Sequence, residues 1–148
     1  DIEGIDAAHK LSLVSGICFG TKINLDSIKY KGITDIQIED INNAKKLGYK
    51  IKLIATSEIK NNFILSVVEP TLIKNTSQLS KVDGVLNGIK IQTDHLNSLF
   101  LEGQGAGGKA TASSIISDLF EITNKSKSYF LIISNQSSKP SVLESINC

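Results

Sequence analysis

Lys50-Ile51-Lys52-Leu53-Ile54-Ala55-Thr56-Ser57-Glu58-Ile59-Lys60-Asn61-Asn62-Phe63-Ile64-Leu65-Ser66-Val67-Val68-Glu69-Pro70 is the stretch whose reading decides the fold. Ile51, Leu53 and Ala55 recur every second residue, and Phe63, Leu65 and Val67 do the same after Lys60 to Asn62. A period of two is the mark of strands whose side chains alternate between faces, and polar Lys-Asn-Asn between two such runs is a turn. The stretch therefore predicts an antiparallel pair that ends at Pro70, which cannot donate to a ladder.

On either side the period lengthens. Upstream, Ala7, Leu11, Val14 and Cys18 recur at helical spacing between Asp6 and Phe19, while Leu13, Ile17 and Phe19 fill much of the other face. That pattern predicts a largely buried helix ended by Gly20. Asp26 to Lys31 alternates like a short strand, with Ile28 and Tyr30 on one face. Gln37 to Leu47 places Ile38, Ile41, Ala44 and Leu47 on one stripe and Lys45 and Lys46 at its end, with Gly48 as the stop. This second helix is expected to lie on the sheet with its polar face outward.

Downstream, Leu79 to Val82 reads as a connecting piece, and Asn87 to Gln92 with Leu96 to Leu101 as another hairpin. Glycine-rich Gly103 to Gly108 then opens a third helix, Thr111 to about Ile122, with Ile115, Ile116, Leu119 and Ile122 on its apolar side. Asn124 to Ser128 is a polar linker, Tyr129 to Ser134 reads as a strand, and Pro140 with Val142 and Leu143 looks like the opening of one more helix.

The chain has 148 residues, 41% of them hydrophobic and 21% charged, enough for one domain with a real core. Sixteen basic against fifteen acidic residues leave a net charge of +1, which provides no electrostatic footprint for nucleic acid and no polybasic membrane patch. No apolar run approaches the roughly 18 residues of a membrane span, and the opening Asp1 to Lys10 lacks signal-peptide grammar, so a cytoplasmic protein is expected. Two cysteines, Cys18 and Cys148, make no disulfide framework. The absence of Met and the abrupt end suggest a piece of a longer chain.

Gly103-Gln104-Gly105-Ala106-Gly107-Gly108-Lys109-Ala110-Thr111 fits two nucleotide motifs in form. As a phosphate loop it lacks the magnesium-holding hydroxyl, since Ala110 stands there. As a dinucleotide fingerprint it lies between strand and helix, yet the next strand ends at Ser134-Asn135 without an acid for a ribose, and too little chain follows for a complete Rossmann domain. Two readings stay open. One is a tight connection that small residues permit; the other is the lining of a cofactor site whose main domain lies elsewhere, with helix-start N–H groups facing a polar or anionic edge.

Asp6 and Lys10 stand four apart and meet on one helix face. Such a pair is ordinarily a surface ion pair contributing a few tenths of a kcal/mol. The apolar helix downstream argues for a pair kept at the mouth of a buried element, where a lone charge is costly. Asp1 is close enough in sequence to join it. His9 and His95 have no metal-ligand partners at useful spacing, and Cys18 lies on an apolar stripe, so no metal site is expected.

The opening Asp1-Ile2-Glu3-Gly4-Ile5-Asp6-Ala7-Ala8-His9-Lys10 resembles the signature D-V-x-G-x-D-A-x-x-K of the homoserine dehydrogenase family. Similarity continues through Gly32-Ile33, Ile38-Glu39-Asp40, Ile51 to Ala55, Val68 to Leu72, and Gly105 to Gly108 with Thr111-Ala112-Ser113. Ala110 stands where the family often has Pro, which removes no functional group.

The resemblance implies an α+β domain: a mixed, largely antiparallel sheet with helices packed on one face. It implies residues 1–123 as a substrate-binding, catalytic and dimer-forming domain. For residues 124–148 it implies a linker and the start of a regulatory ACT domain, with a C-terminal strand of the same domain as the other reading. By position, Lys10 matches the proton-transferring lysine, Asp6 the carboxylate that binds the homoserine amino group, and Asp1 a further acid. Gly105, Ala106 and Gly107 match the cofactor-contacting loop. The implied enzyme is an oxidoreductase that interconverts L-homoserine and L-aspartate 4-semialdehyde with NAD or NADP. Its chemistry serves threonine, methionine and isoleucine biosynthesis, in a homodimer or higher homo-oligomer. The dinucleotide-binding domain would lie upstream, so residues 1–148 alone are expected to be inactive. The competing expectation from another class is a non-catalytic amino-acid-binding or assembly module.

Overall fold

The computed structural model describes residues 2–95, 97–124 and 142–146, the last through their backbone. Helix α1 spans Ile5–Phe19, between Gly4 and Gly20, both in the left-handed region at φ 82° and 63°. Strand β1 is Lys29–Tyr30, helix α2 is Ile38–Lys46, and strands β2 and β3 are Tyr49–Lys60 and Phe63–Lys74. A 3₁₀ turn over Gln78–Lys81 leads to β4, Leu86–Thr93, and β5, Asn97–Gln104. Helix α3 is Gly108–Thr123, and strand β6 is Val142–Ile146.

The strands form one sheet in the order β1-β3-β2-β6-β4-β5. Among the described strands only the β1–β3 pair is parallel and the other neighbours are antiparallel, as the resemblance implied. The β2–β3 hairpin turns on Asn61 and Asn62, at φ 51° and 65°, the left-handed pair that a two-residue type I′ turn needs. The strands run past Pro70, which sits opposite Leu53. Val68 accepts the Lys31 N–H on the β1 side of β3, and Pro70, two residues on, faces that side beyond the end of β1. No ladder bond is lost there, so the expected stop at Pro70 does not occur.

One stripe of α1 (Ala7, Ala8, Leu11, Ser15, Phe19) packs on Ala55 and Val68, with Leu53, Ile64, Ile89 and Ile91 around it. Beneath it the register partners Ser57 and Ser66 bond through their hydroxyls at 2.8 Å, both buried. The opposite sheet face carries a smaller cluster, Ile54 and Leu79 with Ile73 and Phe100.

Four expectations are corrected. Helix α1 is not buried nearly all round: Leu13 and Ile17 are exposed, because the sheet covers only one of its two apolar stripes. Asp26 to Lys31 is a 3₁₀ turn over Leu25–Ser27 followed by a two-residue strand, since the Asn24 side chain accepts the Asp26 N–H and coils the chain. Helix α2 buries only Ala44 and leaves Ile38 and Ile41 exposed; its start is secured by the Gln37 N–H donating to Asp40 Oδ2 at 2.9 Å. Beyond Pro140 there is a strand, not a helix: β6 pairs with both β2 and β4. The strand expected over Tyr129 to Ser134 lies outside the described residues. No residue of α3 is buried.

Candidate functional site

Strand β6 pairs with Ile54 to Glu58 of β2 and Gly88 to Gln92 of β4. The site lies at the Ile51 to Leu53 end of β2, where the start of α1, the Asp83 to Asn87 segment and the turn after β5 converge. A cleft of about 580 Å³ opens there, lined by Lys52, Asp83, Gly84, Val85 and Asn87 and roofed by Ile2, Asp6, Ala7 and Lys10. Gly105 and Ala106 complete its rim.

The start of α1 is held over the cleft by the backbone. Ile33 donates its N–H to the Ile2 carbonyl at 2.9 Å, and Lys31 ties the same loop to Val68 at 2.8 Å. Gly32 lies so close to Ile2 and Glu3 that a Cβ would overlap their backbone. From this anchored start Asp6 and Lys10 reach the cleft one turn apart, Lys10 Nζ at 2.7 Å from Asp6 Oδ2. The pair is not at the mouth of a buried element: the Lys10 and Asp6 side chains are 52% and 42% exposed, on the helix face away from the sheet-packed stripe.

Gly105 follows the last β4–β5 pair, Leu86 with Gln104, and its N–H donates to the Val85 carbonyl at 2.9 Å. Its Cα lies against the Asn87 side-chain amide. Ala106 also lines the cleft, whereas Gly107, at φ 114°, is the residue that lets the chain turn into α3 and is not among the lining residues. Asp1 lies outside the described residues.

Sequence reading missed the second charged group of the cleft. Lys52, 10% exposed, donates to the Val82 carbonyl and to Asp83 Oδ1 at 2.8 Å. Lys50 donates to Asp83 Oδ2 at 2.9 Å and to the Ser80 carbonyl at 2.8 Å. Hydrogen bonds from Lys52, then from Lys50, hold the Asp83 carboxyl down at about 2. The signal in the sequence was slight: two lysines at alternate positions of a strand, which usually mark a solvated face. Burial raises the Cys18 thiol above its ordinary value, in keeping with an inert core role. Among the described residues no group of three or more His, Cys, Asp or Glu is placed to hold a metal, and no helix is long and apolar enough to cross a membrane.

The fold and the cleft define an α+β domain with a cleft between a helix-borne Asp–Lys pair and a glycine-rich strand-to-helix turn. The profile of the homoserine dehydrogenase family matches residues 1–120, and the chain belongs to that family. It is 43% identical to the homoserine dehydrogenase of Helicobacter pylori over 131 residues, 88% of this chain and 31% of that protein. It is 38% identical to that of Neisseria gonorrhoeae over 82% of this chain and 28% of that protein. Among solved structures, Staphylococcus aureus homoserine dehydrogenase at pH 6.5 superposes with a TM-score of 0.75 at 40% identity, covering 83% of this chain and 31% of that one. The Thiobacillus denitrificans enzyme gives 0.78 at 39% identity, covering 83% and 28%. The chain thus spans about a third of the length of these relatives.

Proposed function

We propose that this chain forms the substrate side of a homoserine dehydrogenase, which interconverts L-homoserine and L-aspartate 4-semialdehyde with NAD or NADP. The observation that carries this reading is the meeting of Asp6 and Lys10 with Gly105 and Ala106 around one cleft, from opposite ends of the sequence. Lys10, acting as the uncharged amine, takes the alcohol proton during oxidation, and as the resulting ammonium returns it to the aldehyde oxygen in reverse. Asp6 orients Lys10 and offers its carboxylate to the substrate ammonium. Asp1 is the further substrate-binding acid in this reading.

The residues at the rim suit a flat cofactor edge. Cβ atoms built on Gly107 and Gly108 would meet open space, so bare backbone faces outward where Gly105, Ala106 and Gly107 would hold the nicotinamide portion. Such a group, when bound, would supply the hydride-accepting chemistry. The residues of this chain supply orientation and the proton.

A homodimer or higher homo-oligomer in the cytoplasm, serving threonine, methionine and isoleucine biosynthesis, belongs to the same proposal. The exposed apolar residues of α2 and α3 support association with further protein surface. Of the two readings of residues 124–148 we favour a C-terminal strand of the same domain over the start of an ACT domain, since β6 bonds between β2 and β4.

The test is homoserine-dependent reduction of NAD and NADP by the full-length protein, beside its Lys10→Ala variant and residues 1–148 alone. Activity in the parent, strongly reduced in the variant and absent from the isolated piece, supports the enzyme. A folded, inactive parent that still binds homoserine points instead to an amino-acid-binding module.

A further inference from the structure

The Lys52 side chain is only 10% exposed, two residues before buried Ile54 of the same strand, and withdrawing such a charge from water is costly unless it is held by acceptors. Its acceptors belong to one segment. Lys52 and Lys50, on the same face of β2, bond the Val82 and Ser80 carbonyls and grip the two oxygens of Asp83. Val82 is fully buried, and the Cα of Gly88 presses against it so closely that a Cβ would fall 2.7 Å from Val82 Cγ2. The segment from Ser80 to Asp83 is thereby fixed to the sheet from both sides.

The next residues carry the glycine turn. Leu86 N–H closes on the Asp83 carbonyl at 3.4 Å, the Val85 carbonyl takes the Gly105 N–H at 2.9 Å, and the Asn87 amide backs the Gly105 Cα. Gly105 has already left the β4–β5 ladder, so its position depends on Val85 and Asn87. A continuous run of bonds therefore leads from Lys52 through Asp83 and Val85 to the glycine rim of the cleft.

We infer that Lys52 is a positioning residue: by clamping Val82 and Asp83 it sets the wall on which Gly105 and Ala106 rest, and thereby how tightly the dinucleotide edge is held. The inference builds on the dehydrogenase reading. It assigns Lys52 a part in cofactor binding and none in proton transfer, which stays with Lys10.

The experiment compares Lys52→Met, Lys52→Arg and Asp83→Asn in the full-length protein. It reads KM and kcat at saturating homoserine, with the dissociation constant of the reduced dinucleotide followed by its fluorescence. Lys52→Met is expected to raise KM and the dissociation constant for the dinucleotide about tenfold while kcat changes less than about threefold, the pattern of lost binding. Lys52→Arg, which keeps a cation able to donate to both acceptors, is expected to recover most of that loss. Asp83→Asn, at an exposed side chain that tolerates exchange, is expected to weaken dinucleotide binding in the same direction. It decides the matter if Lys52→Met does not fold. Unchanged dinucleotide binding in Lys52→Met, or in Asp83→Asn where Lys52→Met does not fold, overturns the inference. A fall in kcat with binding intact also overturns it, since Lys52 would then act in the chemistry. An active wild-type protein with unaltered variants rejects this inference alone, whereas a wild-type protein inactive with homoserine rejects the dehydrogenase reading and this inference with it.

Discussion

The Cα of Gly105 rests against the side-chain amide of Asn87, so that a methyl group at Gly105 would occupy the space of that amide. The contact joins the glycine turn to β4 at the rim of the cleft, and it makes Gly105 a packing requirement. Gly105→Ala is expected to destabilise the protein by about 1–3 kcal/mol, as overpacked sites do, and to weaken dinucleotide binding. Asn87→Ala in the same chain removes the obstacle and should restore much of the stability. Denaturant unfolding of the two single variants and the double variant measures this, and purely additive losses would show that the two residues are not coupled.

Lys10→Ala removes the group assigned to proton transfer from an exposed helix face. In the full-length protein it is expected to lower kcat by about 10²- to 10⁴-fold while leaving the dinucleotide dissociation constant nearly unchanged. Stability should hardly move, because an exposed pair four residues apart contributes only a few tenths of a kcal/mol. Steady-state rates and a thermal melt check both halves, and wild-type turnover in the variant would remove Lys10 from the mechanism.

Asp83 has its folded pKa held at about 2, below the usual 3.8, by Lys52 and Lys50. A lowered carboxylate pKa favours the folded state wherever the group is ionised in the unfolded chain. Its contribution is complete above about pH 4 and is lost as the pH falls through about 2. Wild-type protein and Asp83→Asn should therefore differ most near neutral pH and converge as the solution is acidified across that window. Denaturation midpoints at a series of pH values read the difference; a constant gap down to pH 2 would contradict the ion-pair origin of the shift.

Ser15 is fully buried on the sheet-packed stripe of α1, and its hydroxyl is the one buried side-chain polar atom without a hydrogen-bond partner among the described residues. Ser15→Ala removes that unsatisfied group and adds the better helix former, so a gain of about 1 kcal/mol is expected. A rise in unfolding midpoint at unchanged denaturant slope is the result that fits; a loss would indicate a bound water or a further partner at Ser15.

Much of the fold was legible because its causes are local. Alternation over Ile51 to Val67 marked the hairpin, the two asparagines its turn, and Gly20 and Gly48 the ends of α1 and α2. The short fourfold spacing of Asp6 and Lys10 was enough to bring their side chains together, since a helix places such residues on one face whatever surrounds it. Gly105 and Ala106 were legible as small residues at a strand-to-helix turn.

Other features depended on what lies opposite in space. Both apolar stripes of α1 look alike in sequence, and only the single sheet face available to it leaves Leu13 and Ile17 outside. Val142 to Ile146 follows a proline like a helix start, yet a strand's partners are chosen at long range, and here they are β2 and β4. Lys52 and Asp83 each resemble solvated charges until the chain brings them within 2.8 Å.

By itself the sequence determined the elements whose bonds close within a few residues: three helices, the hairpins, and the Asp6–Lys10 pair. The tertiary structure decided which faces are covered, which strands β6 joins, and that Lys10, Lys52, Asp83 and Gly105 share one cleft. The physical reason is that helical and turn geometry is set by neighbours along the chain, whereas burial and cleft formation depend on contacts between distant segments that no local pattern encodes.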